Sequence, residues 1–223
     1  MTRPYVVTLK AAKEVVSISQ GNSKMPGSTF ASDAFACNVG SRLAKVKGSV
    51  CESCYARKIQ KLRPSVDKGW KANLEKTRQW LERNPSQWVK SAVFQIERFA
   101  AKSGESFHRW FDSGDLDSVQ QLAAIVQVAE STPSIKHWLP TRELSIVKDY
   151  VAQYGNFPKN LVVRVSSPMV GDKPLSWANT STVHKKGESV HGVECKAYLN
   201  GNQCGDCRAC WNPSISNISY KKH

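Results

Sequence analysis

The stretch SFHRWFDSGDLDSVQQLAAIVQVAESTPSIKHWLPTRELSIVKDYVAQYGNFPKNLVVRVSS, residues 106–167, decides the fold. It opens with an aromatic-rich run, FHRWF, that reads as a strand ending in the glycine turn SGD. Val119, Leu122, Ala123, Val126 and Ala129 then recur at helical spacing, so LDSVQQLAAIVQVAEST is a helix. SIKHWLPTR reads as a strand, ELSIVKDYVAQYG as a helix stopped by Gly155, and NLVVRVSS as a buried strand. Strands that alternate with helices over short loops pair in parallel through right-handed crossovers.

Working outward, two more helices precede this core. Val66, Trp70, Leu74, Thr77 and Leu81 share one helical face; Val89, Ala92, Val93, Ile96 and Ala100 make a second. RNPS separates them, with Asn84 or Ser86 as cap. On the other side, PLSWANTSTVHK and ISNISYKKH suggest further strands. Roughly five or six strand–helix units are too few for an eight-unit barrel of ~250 residues. The expected fold is therefore α/β: an incomplete or small (β/α) barrel with a mainly parallel sheet and cysteine-rich terminal segments. It forms a single domain, 1–223. Residues 1–64 are an irregular cysteine-containing segment with strand patterns at YVVTL and EVVSIS and a loop at QGNSKMPGS. Residues 65–190 are the β/α core, and 191–223 are cysteine-rich. Chemistry in such folds sits at the C-terminal ends of the strands. That singles out DSGD (112–115), PTRE (140–143) and SSP (166–168).

A chain of 223 residues can bury a core without covalent staples, so its seven cysteines are not needed as cross-links. The N-terminus shows no apolar run followed by a small-residue cleavage site, and the longest apolar run, LAAIVQVA, is too short to span a bilayer. A reducing cytoplasm and metal ligation follow in preference to disulfides. Thirty-two Lys and Arg against 18 Asp and Glu leave a net charge of +14, which favours polyanionic partners, nucleic acid first. The basic residues are spread along the chain, however, with no arginine-rich tail, so a merely solvated surface explains them nearly as well.

Four cysteines, Cys195, Cys204, Cys207 and Cys210, fall within HGVECKAYLNGNQCGDCRACWNPS (191–214). Four thiolates suit a tetrahedral zinc or a 4Fe–4S cubane. Zinc sites usually join two CxxC knuckles by a longer spacer, whereas consecutive CxxCxxC wraps one face of a cubane, so iron–sulfur is favoured over zinc. The other three are Cys37, Cys51 and Cys54. Three ligands would leave one iron of a cubane open to water, substrate or cofactor. Alternatively Cys37 is a buried hydrophobe, and Cys51 and Cys54 share one site with part of the C-terminal set. One cluster without further cofactor requires the fewest parts; two clusters would account for all seven thiols.

CESCYA (51–56) resembles the end of the cluster loop of the radical S-adenosylmethionine (SAM) superfamily, in which three cysteines hold a 4Fe–4S cluster whose open iron chelates SAM. Ser113, Gly114 and Asp115 are similar to that superfamily's Gly-Gly-Glu turn, which holds the SAM amino group. The resemblance implies Ser113–Asp115 as cofactor-binding residues, and the C-terminal four cysteines as an auxiliary cluster. The thirteen-residue spacing from Cys37 to Cys51 departs from the usual three, and no adenosine-binding loop is recognisable after LVVRVSS. Over most of its length the chain looks closer to an uncharacterised phage protein family, through NSKMPGSTF, ACNVGSRLAKVKGSVCESCYARK, RWFDSGD and CGDCRACW. That resemblance implies a place in the host cytoplasm or in the virion, with nucleic acid, another phage protein or a small ligand at the strand-end rim as partners. No membrane partner is expected. The alternative to an iron–sulfur protein is a zinc-stabilised nucleic-acid-binding or structural protein.

The remaining residues have plainer readings. Asp112, Asp115 and Asp117 form a carboxylate group in which Asp117 is expected to cap the following helix. His108 reads as a hydrogen-bonded core residue. Arg142 and Arg164, near strand ends, call for an anionic partner, either a ligand or an internal acid. The tryptophans of KGWK, WVK and KHW could stack bases, but their helical spacing makes most of them core residues first.

Overall fold

A computed structural model describes residues 8–21 and 23–222. Its centre is one eight-stranded sheet in the order β1-β2-β3-β4-β5-β6-β8-β7. The strands are β1 (Ile18–Ser19), β2 (Ser28–Ala31), β3 (Phe107–Ser113), β4 (Lys136–Thr141), β5 (Leu161–Val170), β6 (Thr180–His184), β7 (Val193–Cys195) and β8 (Asn217–Lys221). Only β1 runs antiparallel to its neighbour; the other pairings are parallel. The sheet is open, with β1 and β7 as its edges. The fold is thus mixed α/β with a mostly parallel sheet, as the alternation of patterns between residues 65 and 168 implies.

The helices fall where their apolar spacing puts them. Between β2 and β3 run α2 (Asn38–Leu43), α3 (Tyr55–Leu62), α4 (Pro64–Arg83) and α5 (Pro85–Ser103). The crossovers to β4 and β5 are α6 (Val119–Ser131) and α7 (Leu144–Tyr154). Asn84 caps α5 through the Gln87 amide, and Gly155 ends α7. The apolar core lies between these helices and one face of the sheet. There Trp88 of α5 stacks on Trp110 of β3 with centroids 6.1 Å apart, and Phe30 of β2 meets both rings. Trp88, Trp110, Trp138 and Trp211 are all buried, so they serve packing and offer no surface for bases.

Several local expectations are corrected. The YVVTL strand is not found: Thr8 caps, and Leu9 begins, helix α1 (Leu9–Val15), while residues 5–7 lie outside the described residues. Within EVVSIS only Ile18 and Ser19 form a strand. Residues 28–31 and 38–43 form a strand and a helix, so the N-terminal segment is not irregular throughout. Both elements are short, below the length at which periodicity stands out. Ser118, not Asp117, caps α6, and Asp117 instead pairs with Arg78 at 2.6 Å. No α-helix crosses between β5 and β6 or between β6 and β8 among the described residues; the latter connection carries only two short 3-10 helices, Lys196–Leu199 and Ala209–Trp211.

His108 is a core residue: fully buried, its Nδ1 is 2.8 Å from the Ser28 hydroxyl. His137 lies beside it, with Nε2 2.8 Å from the Thr132 hydroxyl. Burial pushes His108 well below its usual value and His137 down to about 3. Unfolded, both titrate near ~6.5. Below that pH the unfolded chain binds more protons than the folded one, so this stability is complete above about pH 6.5 and is lost as pH falls. The expected loss is about 1.4 kcal/mol per pH unit for each histidine. Urea denaturation at about pH 7.5 and pH 5.5 measures it; equal stability at both would mean that the pair is not held neutral.

Candidate functional site

At the C-terminal ends of β2 to β5 lies a cavity of about 130 Å³. Its wall includes Cys37, Cys51 and Cys54 from the connection after β2, and Asp112 to Asp115 from the end of β3. Pro140 and Arg142 come from the end of β4, and Ser166 from β5. The DSGD and PTRE strand ends singled out in the sequence therefore meet the three N-terminal cysteines in one place; SSP is not a loop but part of β5, from within which Ser166 joins them. Parallel pairing explains it: strands that all point one way deliver all their C-terminal loops to the same edge.

Cys37 caps α2 and Cys54 caps α3, while Cys51 sits in the turn just before Cys54. Gly40 makes room for this arrangement. A Cβ there would approach the Cys37 Cβ to 2.9 Å and lie 3.6 and 3.7 Å from the Cys37 and Cys51 sulfurs. The two thiols thus flank the same glycine. The Glu143 carboxylate accepts from the Val39 amide at 2.8 Å, tying α2 to the loop after β4. Burial raises the Cys37 thiol, with Asp115, Cys54, Cys51 and Glu143 adding to the effect. Cys51 is raised chiefly by burial, against which Arg142 and Arg57 favour its thiolate. Among the described residues, no three His, Cys, Asp or Glu side chains converge closely enough to enclose a single metal ion.

The SGD turn is built under strain. Phe111, just before it, has φ 54°, a left-handed conformation that costs a bulky residue about 1–3 kcal/mol. The register between β2 and β3 shifts across the same stretch. Gly114 has φ 80°, and a Cβ there would fall 2.1 Å from the Ser32 hydroxyl and 3.1 Å from the Ser32 backbone. Gly114→Ala should therefore cost about 3 kcal/mol, combining the left-handed penalty with overpacking. Urea denaturation reads the loss. Adding Ser32→Ala should recover only part of it, because the φ penalty and the backbone contacts remain.

The three aspartates do not form one carboxylate site. Asp112 pairs with Arg109 at 3.2 Å, and Asp117 with Arg78. Asp115 accepts from the Thr141 hydroxyl at 2.6 Å, the Arg142 amide at 2.9 Å and the Leu116 amide at 2.8 Å. It is therefore the clasp between the ends of β3 and β4. The Ser113 hydroxyl is buried at the cavity without a hydrogen-bond partner among the described residues.

The C-terminal cysteines form a second group. Cys195 and Cys207 both act electrostatically on Cys204, and Cys195 acts on Cys210. Cys210 Sγ lies 3.3 Å from the Tyr220 hydroxyl, and burial pushes its thiol up to about 12. Arg164, fully buried on β5, organises this segment. It donates to the backbone carbonyls of Cys210, Ile215 and Asn212 at 3.1, 2.8 and 2.8 Å, and more weakly to those of Ala209 and Thr180. The anion expected for Arg164 is thus replaced by a fan of carbonyls. Trp211 plugs the same face, its indole donating to the His108 carbonyl at 2.9 Å and its ring packing edge-on against Phe107 and Trp138. Arg109 lies between the two thiol groups: it lines the cavity, and its charge reaches Cys204 and Cys210.

Arg57, Arg109, Tyr55 and Gly40 were not singled out by sequence reasoning. Tyr55 directly follows the CxxC pair, Arg57 lies two residues further on, and Arg109 sits at an alternate position of β3, which are the signals available.

The fold and site thus define an α/β protein with an open, mostly parallel sheet and a thiol-lined cavity at its strand ends. The chain belongs to the Gene product 88 family, whose family model matches residues 10–213. This is the phage-type family to which the cysteine-containing motifs point. No curated protein and no solved structure matches the chain. No helix of the described residues is long and apolar enough to cross a membrane.

Proposed function

We propose that the protein is an iron–sulfur protein with a radical SAM-like active site. Cys37, Cys51 and Cys54 hold a 4Fe–4S cluster with one iron open to the cavity. Cys195, Cys204, Cys207 and Cys210 hold a second, fully ligated one. The observation that carries this reading is the placement of three buried or half-buried thiols on one cavity at the C-terminal ends of consecutive parallel strands. The order β2-β3-β4-β5-β6-β8 is that of part of a β/α barrel, which supports the incomplete-barrel reading. A set of thiolates is a donor set that suits iron–sulfur ligation.

An open iron supplies a coordination position and one-electron chemistry to a ligand in the cavity. This chain's residues bind and orient that ligand. Of the SGD turn, Asp115 is already committed to Thr141, Arg142 and Leu116, so the Ser113 hydroxyl is the group left to meet a ligand in the cavity. Anaerobically purified protein should be brown and contain iron with equimolar sulfide. Added SAM should change the EPR signal of the reduced protein. Stoichiometric zinc without sulfide would end this reading in favour of a zinc-stabilised nucleic-acid-binding or structural protein; a signal indifferent to SAM would reduce it to a redox or structural cluster.

A further inference from the structure

We propose that the cavity beside the N-terminal thiols receives a phosphate group of its ligand, met by the guanidinium groups of Arg57 and Arg142 and the hydroxyl of Ser113. The proposal rests on the reading above only in placing the ligand, a molecule other than SAM, beside the thiols.

The charges around the cavity do not balance. Five charged residues line it: Arg57, Arg109 and Arg142 against Asp112 and Asp115. Arg109 is matched by Asp112. Asp115 is satisfied by a hydroxyl and two amides, and Arg142 favours its carboxylate only from beyond ion-pair distance. Arg57 and Arg142 have no acid within ion-pair distance among the described residues. Their donors are nonetheless withdrawn from water: Arg57 Nη1, Arg142 Nε and Ser113 Oγ are buried with no hydrogen-bond partner there. Two guanidinium donors and one hydroxyl left unmade, all on residues that line this cavity, are a standing deficit that a ligand can relieve. Arg57 is also fixed in place, its guanidinium 4.6 Å from the centre of the Phe35 ring.

Two cations with an added hydroxyl donor suit a dianion better than a single carboxylate. A phosphate monoester carries about −1.5 to −2 charges and three acceptor oxygens, and arginine forks match its geometry. The segment that carries the thiols extends this charge outward. Arg42, Lys45, Lys47, Lys58, Lys61 and Arg63 on residues 42–63 are exposed, against one acid, Glu52. The phosphate can belong to a free nucleotide or sugar phosphate, or to a nucleic-acid strand drawn in by these cations.

The test is calorimetric titration of the anaerobically purified full-length protein with inorganic phosphate, balanced against chloride at constant ionic strength. Iron is measured on the same samples. The expected result is saturable binding that Arg57→Gln and Arg142→Gln each weaken about tenfold or more, while Lys102→Gln, a charge loss on exposed α5, changes nothing. No saturable binding, or equal losses in all three variants, overturns the proposal. Where an arginine variant also sheds iron, the wild type decides: adenosine 5′-monophosphate must bind at least tenfold tighter than adenosine and be displaced by phosphate, and parity overturns the proposal. Protein without iron that still binds phosphate through both arginines keeps this inference and ends the cluster reading; protein with iron and no phosphate binding does the reverse. A short single-stranded oligonucleotide separates the two sources. Strand recognition predicts tighter binding than the mononucleotide, with the gain removed by Lys58→Gln plus Lys61→Gln; a free phosphate ligand predicts no gain.

Discussion

Arg164→Leu is expected to unseat the C-terminal cysteine segment and to destabilise the protein by at least about 4 kcal/mol. The leucine fills most of the volume but donates nothing. The carbonyls of Cys210, Asn212 and Ile215, and those of Ala209 and Thr180, would lose their shared donor. A hydrogen bond from a charged donor is worth roughly 1.5–3 kcal/mol, and three of these are 3.1 Å or shorter; the Ile215 and Asn212 carbonyls keep the Asn179 side chain and the Ile215 amide as donors, whereas that of Cys210 is left without a partner. Burial lowers Arg164 below its usual value, but a guanidinium keeps its proton in a folded protein, so its donors are charged and their bonds strong. Lysine at this position brings one ammonium with three donors and cannot span the fan, so Arg164→Lys should recover little. Urea denaturation gives the stability, and iron content shows whether the C-terminal cluster goes with it. A variant within about 1 kcal/mol of wild type would show that the loop is held by Trp211 and not by Arg164.

Iron content separates the two thiol sets still more sharply. Anaerobic wild-type protein should contain about eight irons per chain, and Cys51→Ala should leave about four, as the N-terminal cluster loses a ligand it cannot spare. Cys207→Ala should likewise leave about four, by removing the C-terminal cluster instead. The two variants should differ in kind. Any response of the EPR signal to SAM belongs to the cavity, so it should vanish in Cys51→Ala and survive in Cys207→Ala. About four irons in the wild type, with Cys37→Ala leaving them untouched, would establish a single cluster at the C-terminal set and a structural role for the N-terminal thiols.

Much of the sheet was legible because its strands obey strong local rules. FHRWF, KHWLPT and LVVRVSS are bounded apolar runs separated by helices of clear 3.6-residue period, and such a pattern admits few topologies. Strand β2 was missed because four residues, Ser28–Ala31, are too few to show a period, and it is held by its neighbours on either side. The cap of α6 went to Ser118 because Asp117 had a better partner in Arg78, 39 positions away in the chain.

The site divides in the same way. Spacing alone placed Cys51 beside Cys54, and Cys204 beside Cys207 and Cys210, since a CxxC turn brings its sulfurs together whatever surrounds it. Parallel alternation alone assigned the loops at 112–115, 140–143 and 166–168 to one edge. Whether Cys37 joins that edge, and which thiols keep company, depends on contacts between residues far apart in sequence: Glu143 holding the start of α2, and Gly40 leaving space between two sulfurs. The roles of the charged residues were likewise a tertiary matter. Arg142, just past the end of β4, faces a cavity, whereas Arg164 lies inside β5 and not at the strand end expected for it, and faces carbonyls. A side chain's partner is set by what the fold packs against it, and that lies beyond the reach of local pattern.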